Sequence, residues 1–352
     1  MQTSNLRHAA IFLSLISFFA FTWAALAVPQ QSSHSLKQDF KSPPAGYGQV
    51  PFYWWNGDTL KHARLMWQLE QLHKAGVQGF AVSYHHTHPE ADLLENRSGF
   101  GAYGRTAAGA PTAFSQPWWE IWNWFSGECG KRGMGVGLDD YTFNWPGNGY
   151  WPDEIADLAE MKNCPGFLLI ADPMAVKGGD SLNLPIPSPA PFAVTAYPVQ
   201  NRQWLVEQAI SILPFMSKGT IHWQAPKGQN WMVSVITTAR GHELHPDYGR
   251  LIIKHYFNQF VDHLDSAGLE GMNFFFQDEL EYDLVIGKKT TWAQDMVQEF
   301  SRRKGYDVQP FLPALVADIG PITPKIRLDY SDVMVSLAEE RYFQPVYQWH
   351  AD

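Results

Sequence analysis

The sequence predicts an α/β fold of the (β/α)8 TIM-barrel type, present as its N-terminal part only and interrupted by a small β-rich module. Three observations carry that prediction. From Val50 to Val136 short apolar runs alternate with longer amphipathic stretches, the order that builds a parallel sheet with crossover helices. Between about Asp180 and Gly241 the chain turns Pro-rich and alternates by twos. Helix followed by strand then resumes from Tyr248 to Phe276.

Residues 1–27 read as an export signal, since Arg7 and His8 precede an apolar run that ends in Ala25-Leu26-Ala27 before Val28-Pro29. An uncleaved anchor is the alternative, because the run is almost long enough to cross a bilayer. Cleavage implies a secreted, extracellular protein with no membrane attachment once the signal is gone. Residues 28–46 are polar, carry Pro43-Pro44 and read as a linker. The first part of the barrel is expected over 47–179. Strands are expected at 51–54, 79–83 and 135–138, with helices over 60–75, where Leu65, Leu69 and Leu72 fall at helical spacing, and 118–132.

The β-rich insertion is expected over 180–241. There 219–223 and 231–236 flank the turn Ala225-Pro226-Lys227-Gly228 and read as a hairpin. The barrel continues over 242–352, with a helix at 248–267, a strand at 271–276 and helices at 292–304 and 331–349. Four strands of barrel type are visible, whereas a closed barrel needs eight, so the remaining strands are expected beyond residue 352. The rival architecture is a complete open α/β sheet.

A hydrophobic fraction of 45% is that of a globular protein, and a formal charge of −9 gives no electrostatic reason to expect nucleic acid or an anionic membrane as partner. Oligomeric state is not legible. Cys129 and Cys164 are too few for a disulfide scaffold, and either one bridge or two buried thiols is compatible with export. Asn96-Arg97-Ser98 is an N-glycosylation sequon, compatible with secretion and common by chance.

In parallel βα folds the reactive groups gather at the carboxyl edge of the sheet. Reading past each expected strand end gives Trp54, Trp55 and Asn56; then His85 and His86; then Asp140, Tyr141 and Trp145; then Gln277 and Glu279. Glycosidic bonds are cleaved by two carboxyl groups, and Glu279 just past an apolar strand is the candidate general acid, because apolar neighbours favour the protonated form. Asp140 is the second candidate. Their bland readings are a solvated acidic loop and a helix N-cap. The 15 Trp of the chain include several at strand ends, where a flat ring stacks on a sugar and Asn56, Gln277, His85 and His86 meet hydroxyls. Trp118, Trp119, Trp122 and Trp124 illustrate the opposite case, a helix packed on the barrel wall. The pair His86 and His88 also fits a metal-dependent hydrolase, provided a third ligand comes from another strand end. No P-loop, dinucleotide fingerprint or nucleophile elbow is present.

The run Pro51-Phe52-Tyr53-Trp54-Trp55-Asn56-Gly57, the turn Ala75-Gly76-Val77-Gln78-Gly79 and the stretch from Trp118-Trp119 to Leu138-Asp139-Asp140 and Trp145-Pro146-Gly147 resemble glycoside hydrolase family 106. So do His245-Pro246-Asp247 and the strand ending Phe276-Gln277-Asp278-Glu279. The resemblance implies an inverting α-L-rhamnosidase acting on polysaccharides or glycosides, a calcium ion at the site and a carbohydrate as partner. It carries the general-acid role to Glu279 and an acidic role to Asp140, where this chain has Asp-Asp in place of Asp-Glu. Gln277 and Tyr141 also depart from the family pattern, which leaves the sugar open. A second carboxylate is expected beyond residue 352, so that these 352 residues alone are expected to be inactive. A sugar-binding barrel that has lost catalysis is the competing reading from another class.

Overall fold

The computed structural model describes residues 33–41, 47–55, 59–84, 110–111, 114–139, 158–186, 191–276 and 284–351. The expected export signal therefore lies outside the described residues. Within the stretch read as linker, a nine-residue helix α1 (Ser33–Lys41) is present instead of extended chain, with its described side chains exposed.

Strand β1 (Phe52–Trp55), helix α2 (His62–Lys74), strand β2 (Gly79–Tyr84), helix α3 (Gln116–Gly130) and strand β3 (Gly135–Asp139) follow in the expected order. After a long excursion the chain returns through β13 (Met272–Phe276), and the four strands pair in parallel in the order β1, β2, β3, β13. Pleating sends alternate side chains to opposite faces. Tyr53, Trp55, Phe80, Val82, Tyr84, Val136, Leu138 and Phe275 point toward the helices, where they pack with Leu65 and Leu69 of α2 and Trp118, Trp122 and Phe125 of α3. The other face is curled. Phe52 and Phe276, on the two outer strands, bring their rings to 5.3 Å across it. Gly137 makes room on that face, since a Cβ there would sit 2.4 Å from the Phe274 ring.

The excursion is a β-rich module, and it is larger than the expected 180–241. It comprises β4 (Pro165–Ile170), β5 (Met174–Val176), β6 (Ser181–Pro185), β7 (Pro191–Gln200), β8 (Gln203–Trp204), β9 (Ile210–Ser211), β10 (Met216–Ser217), β11 (Thr220–Gln224) and β12 (Asn230–Arg240). A seven-stranded sheet is built on β14, β4, β12, β7 and β8, with β5 and β9 joining β12 and β7; its outermost strand β14 (Lys289–Thr291) lies beyond β13 in the chain. The expected hairpin of 219–223 with 231–236 does not form. Strand β11 pairs with β6 and β10 in a separate three-stranded sheet, while β12 pairs with β4, β5 and β7. The two strands instead face one another across the sandwich, Trp223 edge-on to Trp231 at 5.5 Å, in a core with Val194, Ile221, Val233 and Val235. Alternation explains this. A strand apolar on both faces needs two covers, and β12 sends Trp231, Val233 and Val235 to one and Ile236 to the other.

The second cover is helical. Helices α4 (Tyr248–Ile252), α5 (Asn258–His263) and α6 (Ser266–Gly271), with a π-helical turn Ile253–Phe257 between the first two, lead back to β13. Helices α7 (Met296–Lys304) and α8 (Thr323–Ala338), expected to continue the barrel, pack instead on the module, where Phe300, Tyr330 and Val333 meet Leu168, Tyr197 and Ile236. A second π turn, Glu339–Phe343, and helix α9 (Gln344–Ala351) then return to the parallel sheet through Tyr342, Val346 and Trp349. No described helix is long and apolar enough to cross a membrane.

Candidate functional site

The four parallel strands end at Trp55, Tyr84, Asp139 and Phe276 on one edge, since all run the same way. The curled face of that edge carries two transverse rows. The lower one is Phe52, Ala81, Gly137 and Phe274, successive partners in the strand register. The upper one is Trp54, Ser83, Asp139 and Phe276: Trp54 pairs with Ser83, Asp139 with Phe276, and the Ser83 hydroxyl donates to Asp139 Oδ2 at 2.5 Å. Small residues in the middle and aromatic ones at the rims leave a polar centre flanked by rings.

Trp54 takes the position expected of a stacking platform, on the curled face and 37% exposed. Trp55 does not. It is 4% exposed and lies on the helix side, its ring edge-on to Phe125 at 4.9 Å and to Trp122 at 5.8 Å. The substrate role read for it is thereby corrected to a core role, because neighbouring residues of a strand face opposite ways. Asn56, His85, His86, His88, Asp140, Tyr141, Trp145, Gln277 and Glu279 lie outside the described residues, each in a stretch that follows one of these strand ends. Asp139, the first residue past the expected strand end at Leu138, instead closes β3, and the alternation of Val136 and Leu138 places it on the other face.

Asp139 and Ser83 are buried, as is Tyr84, whose hydroxyl donates to the Pro111 carbonyl and whose phenol burial pushes well above its ordinary range. That bond ties the end of β2 to the segment that precedes α3. Calcium takes six to eight oxygen ligands. Among the described residues no group of three His, Cys, Asp or Glu side chains lies together, so they do not by themselves make such a site. Both cysteines are free and buried; burial among the α3 core pushes the Cys129 thiol up to about 12. This settles the alternative left by the sequence in favour of two thiols.

Residues 200–350 match the model of glycoside hydrolase family 106, α-L-rhamnosidase. Comparison with curated proteins gives no match. Among solved structures the chain is similar to a rhamnosidase from Novosphingobium sp. PP1Y, with a TM-score of 0.56 and 12% identity over 89% of this chain and 46% of that one. It thus spans less than half of that protein's length, and the likeness is one of fold. The match takes in β8, β12, β13, the stretch with Gln277 and Glu279, and the helices that cover the module. The chain is thus similar to glycoside hydrolase family 106 over residues 200–350, and similar in fold to a rhamnosidase.

Proposed function

We propose that this chain is part of a secreted glycoside hydrolase that cleaves α-L-rhamnosyl or related bonds at the carboxyl edge of its parallel sheet. The observation that carries the reading is the family match over 200–350, which includes the strand end from which Glu279 follows. Glu279 is the general acid: its carboxyl gives a proton to the glycosidic oxygen as the bond to the anomeric carbon breaks. Water attacks the opposite face and surrenders a proton to a second carboxylate, which inverts the anomeric centre. Asp140 contributes a further acidic group at the mouth, and Trp54 a ring on which the sugar stacks. Asn56, His85, His86, Tyr141, Trp145 and Gln277 bind hydroxyls around it. A calcium ion would add Lewis-acid and orienting oxygen chemistry there, with ligands drawn from the acidic strand-end segments.

The test is turnover of a panel of aryl glycosides that includes the α-L-rhamnoside, by the full-length gene product and by its Glu279→Gln variant. Hydrolysis that falls by about 10³-fold or more in the variant supports the assignment, in line with the loss of a general acid. Turnover indifferent to the substitution would remove Glu279 from the chemistry. Absence of turnover beside retained glycan binding would make the chain a sugar-binding barrel.

A further inference from the structure

Tyr84 closes β2 on the helix side and is buried there, so it does not touch a ligand at the mouth. Its hydroxyl reaches along the chain, donating to the carbonyl of Pro111, 27 residues on. A second tie lies beside it: Thr59 and Ala110 form a parallel bridge, and the Leu60 N–H donates to the Ala110 carbonyl at 2.7 Å. Residues 110–111 are thus bound at once to the end of β2 and to the stretch that follows β1, two strands that are neighbours through the pair Trp55 and Tyr84. Phe114 then stacks on Trp119 at 5.0 Å and stands edge-on to Trp118 at 5.4 Å, which seats the returning chain on the first turn of α3. In the sequence, His85 and His86 fall between the two ends of this clasp. Pinning both ends of a segment limits what it samples, and freedom already lost at the neck is not surrendered again when a ligand binds.

We propose that Tyr84 is a positioning residue for the substrate: its bond to Pro111 fixes the neck of the segment that carries His85 and His86, and so raises the affinity of the site without entering the chemical step. The proposal rests on the hydrolase reading for the identity of the ligand. The backbone tie at Ala110 survives any side-chain change, whereas the tie at Pro111 depends on one hydroxyl. Burial keeps the Tyr84 phenol protonated far above neutral pH, so the donor is present on both the acid and the alkaline side of neutrality.

The experiment compares the full-length gene product with its Tyr84→Phe variant, which loses the hydroxyl and keeps the ring. On an aryl α-L-rhamnoside, KM is expected to rise at least about fivefold while kcat stays within about twofold, the signature of lost binding shared by ground and transition states. Affinity for L-rhamnose, measured by calorimetry, is expected to fall by a similar factor. Backbone amide exchange at Leu60 is expected to quicken, because the Ala110 tie then stands without its neighbour. A hydroxyl that only steadies the fold would lower the melting temperature and leave KM and sugar affinity unchanged, and that result overturns the proposal. So does a kcat that falls as far as kcat/KM, which would put Tyr84 in the chemical step. If Tyr84→Phe does not fold, wild type decides: L-rhamnose is expected to slow exchange at Leu60 at least about threefold, and exchange indifferent to the sugar overturns the proposal. Turnover with KM unchanged in the variant removes the positioning role and keeps the hydrolase reading. Sugar binding weakened by the substitution, with no turnover by either protein, does the reverse.

Discussion

Two consecutive tryptophans show how one step along a strand separates the open face of a sheet from its core. Trp54 and Trp55 share composition and neighbourhood, yet Trp54 faces the curled side and Trp55 the helices. Removing the buried ring leaves a cavity beside Phe125 and Trp122, so Trp55→Ala is expected to cost about 3–5 kcal/mol in urea unfolding. Trp54→Ala is expected to cost less than Trp55→Ala while weakening sugar binding, because its side chain is 37% exposed whereas that of Trp55 is 4% exposed. Equal stability losses in the two variants would show that Trp54 also serves the core. The same alternation separates Asp139 from its apolar neighbour Leu138.

At the scale of elements, the parallel sheet depends on an unusually close helix pair. Helices α3 and α6 meet where Asn123 and Asp265 exchange hydrogen bonds of 3.0 and 3.1 Å, Asp265 caps Gly268 N at 2.9 Å, and Ser126 donates to the Gly268 carbonyl at 2.5 Å. The backbone N–H of Gly268 and the amide of Asn123 hold the Asp265 carboxyl below its ordinary range. A Cβ on Gly271 would lie 1.8 Å from the Ser126 carbonyl oxygen. Replacing a helical glycine by alanine otherwise gains up to about 1 kcal/mol, so the two effects have opposite signs. The clash is backbone against backbone and wins, and Gly271→Ala is expected to destabilise by about 3 kcal/mol in thermal or urea melts. A neutral or stabilising result would mean that α6 moves away from α3 freely.

For the whole molecule, the question is how the module and the parallel sheet are joined. Their cores are separate clusters, and besides the passages that follow β3 and β13, two crossings between them are described throughout, the first at β12 to α4 and the second at α8 to α9. Arg341, in the π turn of the second crossing, grips Asp295 with two bonds of 3.0 and 2.7 Å and donates a third, of 2.5 Å, to the carbonyl of Leu244 in the first. Tyr342 beside it packs on Tyr248 at 5.4 Å. The Arg341 side chain is 10% exposed and Asp295 is 35% exposed, so water offsets part of the loss when the pair is broken. Arg341→Met is therefore expected to cost about 2 kcal/mol, read as a lower urea midpoint. A variant as stable as wild type would show that apolar contacts alone hold the two cores together.

What the sequence determined by itself is whatever short-range periodicity encodes. The α/β class, the four parallel strands to within a residue or two and the buried face of α3 with Trp118, Trp119 and Trp122 were legible, because helical and strand periods repeat within a few residues. Tertiary structure decided which sheet each strand joined. It separated β11 from β12, although a turn signal links them, and drew β14 and the helices after it onto the module, because a two-faced sheet must bury both faces and its partners are distant in sequence. It also decided which strand-end side chains face the mouth. Trp55 lies on the helix side and Asp139 on the curled side because facing is set by pleat and register across neighbouring strands, and residue type alone carries no such information.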